Sequence, residues 1–309
     1  MALPAGTLSP STTVSNLVQA AYDQYVRMAL RSIPVMRAIA DVKPVQQAMP
    51  GSSVVFSIYS DLSTVTATLT ETSDVSSVAL GNPSQVTVTL NEYGSAVTTT
   101  KRLNLTSFND VDAALADIIA YNAADSIDRV VASVLTAGTN VIFAGTATNR
   151  NAITATQTIS VADIREAVTQ LRSGLALPRI GELYAAYLHP RQSADLRAES
   201  GTGGFQELTK YVERTPFVAG AVGVIEGAFV VETPRVPSVV NTGTITVYQA
   251  VVAGREALAE AMAQDITTVI GPEIDTLRRF RTIGWYYMGG FNRLREAALY
   301  RIESATSIN

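Results

Sequence analysis

Residues 63–90 read "STVTATLTETSDVSSVALGNPSQVTVTL" and lie in a run, 45–100, that contains no lysine or arginine. Val65, Ala67 and Leu69 alternate with Thr64, Thr66, Thr68 and Thr70, and Val86, Val88 and Leu90 repeat the pattern. Successive side chains on a strand point to opposite faces, so the spacing predicts two strands. Ser-rich sequence and "GNP" between Asp74 and Pro83 supply turn chemistry, which makes the pair a hairpin. Arms of about 16 residues at about 3.3 Å each would reach roughly 50 Å. A compact chain of this length has a radius of gyration of about 19 Å, so the hairpin would be as long as the body. A bare two-stranded ribbon is marginal in water, and the expectation is that it lies on a neighbouring subunit. The alternative is a pair of ordinary sandwich strands interrupted by the Ser-rich middle.

The 309 residues suit one large domain or two smaller ones. Hydrophobic residues make up 47% and charged residues only 16%, a sparing use of charge that fits a surface covered by partners. A net charge of -4 argues against a chain that neutralises many phosphates, so specific nucleic-acid binding is not expected. The absence of cysteine excludes disulfides, thiolate metal sites and cysteine nucleophiles. Residues 1–25 lack the basic start and apolar core of a signal peptide. No run of about 18 apolar residues occurs, so the expectation is a soluble product made without export and without a membrane partner.

Residues 1–12 read as a loose arm. Val14, Leu17, Val18, Ala21, Tyr25 and Met28 then have helical spacing, stopped before Pro34, and a short turn is expected over 35–40. After the hairpin, Ser107, Asn109 and Asp110 are candidate caps for the longest helix, with Val111, Leu115, Ile118, Ile127, Val130 and Val134 as its apolar positions and Gly138 as its end. Residues 139–159 read as a linker. Ser160 and Asp163 form a capping box for a helix with Ile164, Val168 and Leu171 on one stripe. A buried strand in "ELYAAYLHP" leads into a short helix opened by Pro190. Strands follow in "EGAFVVETPRVP" and "TITVYQAVV", "REALAEAMA" (255–263) is helical by propensity, and 275–304 has aromatic and β-branched residues typical of strands.

Chemistry is sparse. His189, Ser193 and Asp195 are the residue types of a hydrolase triad, but a triad needs convergence of three side chains beside an oxyanion hole, and a strand end running into a short helix does not supply it. His189 is expected to cap a strand end, with the other two on an ordinary helix. As the only histidine it also removes most zinc chemistry. The loop "SGTGGFQE" lacks the Gly-Lys-Ser/Thr ending of a phosphate loop. The pairs Asp110 and Asp112, and Glu256 and Glu260, fit helix ends or faces. Arg278, Arg279 and Arg281 form the one basic cluster, suited to inter-subunit ion pairs, to a solvated strand end or to contact with packed nucleic acid. No catalytic, cofactor-binding or metal residue is assigned, and no enzyme is expected.

The order of parts (amphipathic arm, basic-free hairpin, long helix, α/β unit, strand-rich end) resembles the major capsid proteins of tailed bacteriophages, the family with the Hong Kong 97 fold. The phrases "AAYLHPRQSADLRAE", "IEGAFVVETPRVP", "VYQAVVAGREALAEA" and "GWYYMGGFNRLREAALYRIES" carry the resemblance. It implies an α+β fold with an N-terminal arm (1–45), an extended β-hairpin loop (46–102), a peripheral domain with a long spine helix (103–159), an axial α/β domain (160–262) and returning peripheral strands (263–309). The implied function is a major capsid protein that self-assembles into the icosahedral head shell around viral double-stranded DNA, found in the virion after assembly in the host cytoplasm. The implied partners are further copies in pentameric and hexameric capsomers, a separate scaffolding protein because the arm is short, a portal, and packaged DNA contacted non-specifically. Some relatives cross-link this loop through a lysine. The three lysines here, Lys43, Lys101 and Lys210, lie outside the arms, so non-covalent cohesion is expected. An encapsulin-like nanocompartment shell, a Thr-rich surface adhesin and an enzyme are the alternatives.

Overall fold

The computed structural model describes residues 31–44, 52–106 apart from 70, 73 and 76, 111–199, and 221–308 apart from 274. In chain order the elements are β1 (Ala40–Pro44), β2 (Ser53–Ile58), β3 (Ser84–Thr89), β4 (Asn91–Thr100), α1 (Lys101–Thr106), α2 (Val111–Thr136), β5 (Val141–Phe143), α3 (Val161–Ser173), β6 (Tyr184–Leu188), α4 (Pro190–Ala198), β7 (Ala221–Ile225), β8 (Ala228–Glu232), β9 (Ser238–Val240), β10 (Thr246–Ala253), β11 (Leu258–Ile270), β12 (Phe280–Arg293) and β13 (Leu299–Ser304). Short 3-10 turns at Met36–Ile39, Arg150–Ala152 and Glu296–Ala298 join them. Residues 13–30 of the expected helix and the glycine loop at 200–205 lie outside the described residues, and the described residues 31 and 32 are not helical.

Two sheets carry the architecture. The first has the order β1-β11-β12-β4, and the second runs β5-β13-β10-β6-β8-β7 with β9 also on β10. The second is covered on both faces, which explains the uninterrupted apolar run of β6. Tyr184, Ala186 and Leu188 meet Ile164, Val168 and Leu171 of α3, the stripe expected from sequence. Ala185 and Tyr187 point the other way, into a core with Val131 and Leu135 of α2. The Ser160 and Asp163 capping box forms as expected, with the Asp163 carboxylate accepting from the Ser160 N–H at 2.8 Å.

The long helix α2 joins the sheets. Leu115, Ile119, Ala123 and Ile127 pack on Ile283, Trp285 and Tyr287 of β12, while Val131 and Leu135 reach the second sheet's core. The buried positions recur every fourth residue, whereas a turn takes 3.6, so the buried face advances about 40° per step. The sequence reading placed Ile118 on the stripe, but Ile118 is exposed and Ile119 is buried.

Four expectations need correction. The hairpin pairs only Ser53 to Ile58 with Thr89 to Ser84, and the described residues between 59 and 83 form no strand, because beyond the body a lone ribbon has nothing to pack on. Residues 91–100, counted in the loop, are β4 in the first sheet. "REALAEAMA" is not helical: it opens β11 as a strand, pinned between β1 and β12. Residues 139–159 are more than a linker, since β5 pairs with β13, and the C-terminal strands divide, with β12 in the first sheet and β13 in the second.

Candidate assembly surface

The root of the loop is fixed. Val54 and Val88 bury their side chains with Ala259 and Ala261 of β11. The small side chains of those alanines leave room for the hairpin to lie on β11. Beside them, a Cβ on Gly290 would fall well inside van der Waals contact with the Thr89 carbonyl oxygen, so only glycine permits this approach. Asn292 donates its side-chain N–H to the Thr87 carbonyl at 2.9 Å. Lys43 stands over the Phe56 ring at 5.0 Å and reaches the Val55 carbonyl at 3.5 Å.

Beyond that root the same kind of sequence is bare. Val65, Leu69 and Val78 are 79%, 74% and 72% exposed, and Tyr59, Leu62, Val75 and Leu80 are exposed with them. An apolar series of this extent on one loop is a surface for association. Its charges are Asp61, Glu71 and Asp74, with no base.

Behind the root, a buried ion network locks β11. Glu260 is fully buried and accepts from the Arg37 guanidinium at 2.6 Å and from the Tyr287 hydroxyl at 2.9 Å. Burial pushes the Tyr287 hydroxyl well above its ordinary value, reinforced by the Glu260 charge. Burial alone would lower the Arg37 pKa, but its bonds to Glu260 hold it above the ordinary value. Arg37 also reaches Asp265 at 3.1 Å, across the irregular register between Met262 and Thr267. Asp128 of α2 accepts the N–H groups of Met36 and Arg37 at 2.7 and 3.2 Å, tying the helix to the same corner. Glu303 plays the matching part in the second sheet, fully buried and held by Arg150, Arg301 and Gln249. The sequence reading put Glu260 with Glu256 on a helix end or face, which its place in β11 corrects, and it did not single out Glu303; for Glu260, a Glu between alanines in an apolar run was the available signal.

The tempting catalytic residues do not converge. His189 caps α4, its Nδ1 accepting from the Arg191 N–H at 3.2 Å and its ring lying against Tyr248 at 4.4 Å. Burial, and then the Arg191 charge, hold its pKa below the ordinary value. The Ser193 hydroxyl donates to Glu232 at 3.2 Å, and Asp195 accepts from the Ser307 N–H at 3.1 Å. Glu256 pairs with Arg295 at 2.7 Å, away from the network of Glu260. Arg279, near the tip of the β11–β12 hairpin, pairs with Asp275 at 2.6 Å, and Arg278 and Arg281 are exposed beside it. Asp110, Lys210 and the side chain of Asp112 lie outside the described residues. Among the described residues no group of His, Asp and Glu could hold a metal ion, and no helix is long and apolar enough to cross a membrane.

The two-sheet body carries a bare apolar loop, and the family described as phage capsid protein matches residues 9–308. The chain belongs to the phage capsid protein family. It is a major capsid protein, a structural component of the bacteriophage head shell, and it works by self-association. The adhesin and encapsulin-like alternatives are set aside by a match over nearly the whole chain. No curated protein matches the chain by sequence. Solved structures do. The chain is similar to the capsid of cyanophage P-SCSP1u, with 17% identity over 98% of this chain and 100% of that one at a TM-score of 0.73. It is also similar to the capsid of Ralstonia phage GP4, with 14% identity over 99% and 98% at a TM-score of 0.75. A Helicobacter pylori bacteriophage KHP30 capsid gives 16% identity over 98% and 100% at a TM-score of 0.69. At such identities these likenesses carry the fold, the Hong Kong 97 type.

Proposed function

We propose that this capsid protein assembles through its loop: residues 59–83 of one copy lie across the next, in pentameric and hexameric capsomers of an icosahedral shell enclosing double-stranded DNA. The observation that carries the reading is the bare apolar series on a loop whose root is immobilised by Val54, Val88 and Gly290. About 12 residues out and 12 back would reach roughly 40 Å, enough to cross a neighbour. In this reading the first sheet with α2 forms the peripheral domain, the second sheet with α3 and α4 the axial domain, and residues preceding β1 the N-terminal arm. A separate scaffolding protein, a portal, non-specific contact with packaged DNA and assembly in the host cytoplasm complete the proposal, and catalysis has no part in it. Cohesion is non-covalent, since 45–100 holds no lysine and the chain no cysteine.

The test is electron microscopy and sedimentation of the full chain, expressed alone and with its neighbouring head genes, beside a variant in which residues 60–82 are replaced by a short Gly-Ser turn. The wild type should form capsomers or shells and the variant should not. Shells from the shortened chain would falsify the loop's role. Boiled particles should run as one band at 32.8 kDa; a ladder of covalent oligomers under reducing conditions would contradict non-covalent cohesion.

A further inference from the structure

Three concavities of about 170, 240 and 380 Å³ lie side by side on the face that bears the loop root. The first two share Glu256 and Arg295, and the first and third share Arg255, so they form one trough from Lys43 across the β10–β11 turn to the 174–181 segment. Its cations are Lys43, Arg179, Arg255 and Arg295, against two carboxylates that are already engaged: Asp41 with Arg179 at 3.1 Å and Glu256 with Arg295 at 2.7 Å. Arg255 is exposed; its backbone N–H is anchored to the Leu177 carbonyl at 2.7 Å, and its guanidinium has no partner among the described residues. Bare apolar side chains flank it, with Leu175 at 87% and Leu177 at 60% exposure. The trough is therefore mixed in character, apolar around Leu175 and Leu177 and polar toward Arg179, with a surplus of positive charge. The loop 59–83 is its complement, apolar with three carboxylates and no base.

We infer that this trough is the seat of the loop of a second copy of the chain, with Arg255 pairing a loop carboxylate, Asp61, Glu71 or Asp74. The inference rests on the proposed loop-mediated assembly and names the surface that receives the loop. The chain's own loop contributes only Tyr59, at the Lys43 end of the trough, and is not the occupant, because its apolar residues from Leu62 to Leu80 are exposed rather than seated there. Packaged DNA also carries negative charge but offers no apolar side chains to meet Leu175 and Leu177. Opposite charges brought together at an interface chiefly select partner and register, so the effect of Arg255 belongs on assembly and not on folding.

The absence of native cysteine allows a direct test in the full chain. Arg255→Cys is co-expressed with Asp61→Cys, Glu71→Cys or Asp74→Cys, and the particles are oxidised. At least one pairing should give a disulfide-linked dimer that reducing agent dissolves, and single-cysteine controls should give none. Separately, Arg255→Glu should lower particle yield about tenfold, a change equivalent to about 1.4 kcal/mol, with subunit melting unchanged, and joint reversal of the three loop carboxylates to Lys should restore it. Absence of cross-links in every pairing, together with normal yield from Arg255→Glu, overturns the inference. If the variant lacking 60–82 fails to assemble while these results are negative, the loop reading stands and only the trough is wrong. If that variant assembles, the loop reading itself fails.

Discussion

Val88 and Val65 stand in the same alternation of valine with threonine on two halves of one loop; one is fully buried and the other is 79% exposed. Val88 meets Ala259 and Ala261 of its own chain, residues small enough to admit it. Val65 joins no buried cluster among the described residues. The pattern marks a face that requires cover and is silent about which chain provides it. The near half of the loop behaves as core, and the far half is left bare by its own body.

The comparison breaks first at Gly290. Gly290→Val should lift the hairpin root from β12 and destabilise the unassembled subunit by about 3 kcal/mol, the upper end for overpacking, with loss of particles. Urea melts that match wild type would show that the root is not seated there. Next comes the same substitution made twice. Val88→Ala should cost about 2 kcal/mol by lost burial and the cavity left behind, and Val65→Ala should stay within about 0.5 kcal/mol as a surface change. Only particle assays should register the second; equal costs in urea would erase the distinction between the halves.

Acid sharpens the contrast further, since the root is held mainly by uncharged contacts and the body by buried carboxylates. Burial tends to raise the Glu303 pKa, but the bond from Arg150 and the charge of Arg301 outweigh it and hold it below the ordinary value. A carboxyl depressed on folding stabilises above its unfolded pKa of about 4.3 and loses that contribution as pH falls through the folded value. The Glu303 contribution to subunit stability should therefore be lost on acidification below about pH 4.3, and Glu303→Gln should remove that part of the pH dependence when urea melts are compared across the range. The smallest effect is expected at His189→Ala. Loss of its cap on α4 should cost about 1 kcal/mol and leave particle yield unchanged; a changed yield would give this helix a part in assembly.

Much of this was legible. Ser160 with Asp163, the stripe Ile164, Val168 and Leu171, and Pro190 after a buried strand are local signals that tertiary structure had no reason to override. The start of β11 was illegible by the same standard. Ala, Glu and Met favour helix, yet Ala259 and Ala261 are small because the hairpin root lies on them, and Glu260 turns inward because Arg37 and Tyr287, distant in sequence, meet it there. The extent of the ladder was also beyond local reading. Alternation continues past Ile58, but hydrogen bonding stops where the body ends.

The advancing stripe of α2 has a mechanical consequence. From Leu115 to Leu135 there are five four-residue steps, so the centre of the face that grips the first sheet (Leu115 to Ile127) and the centre of the face that grips the second (Val131 to Leu135) stand about 120° apart around the rod. The helix is thus keyed into two blocks at different angles, like a shaft set in two hubs. Any change in the pitch between the blocks must appear as torsion in the short span between Ile127 and Val131, where Asp128 holds the backbone of Met36 and Arg37. That one carboxylate sits where the twist would concentrate.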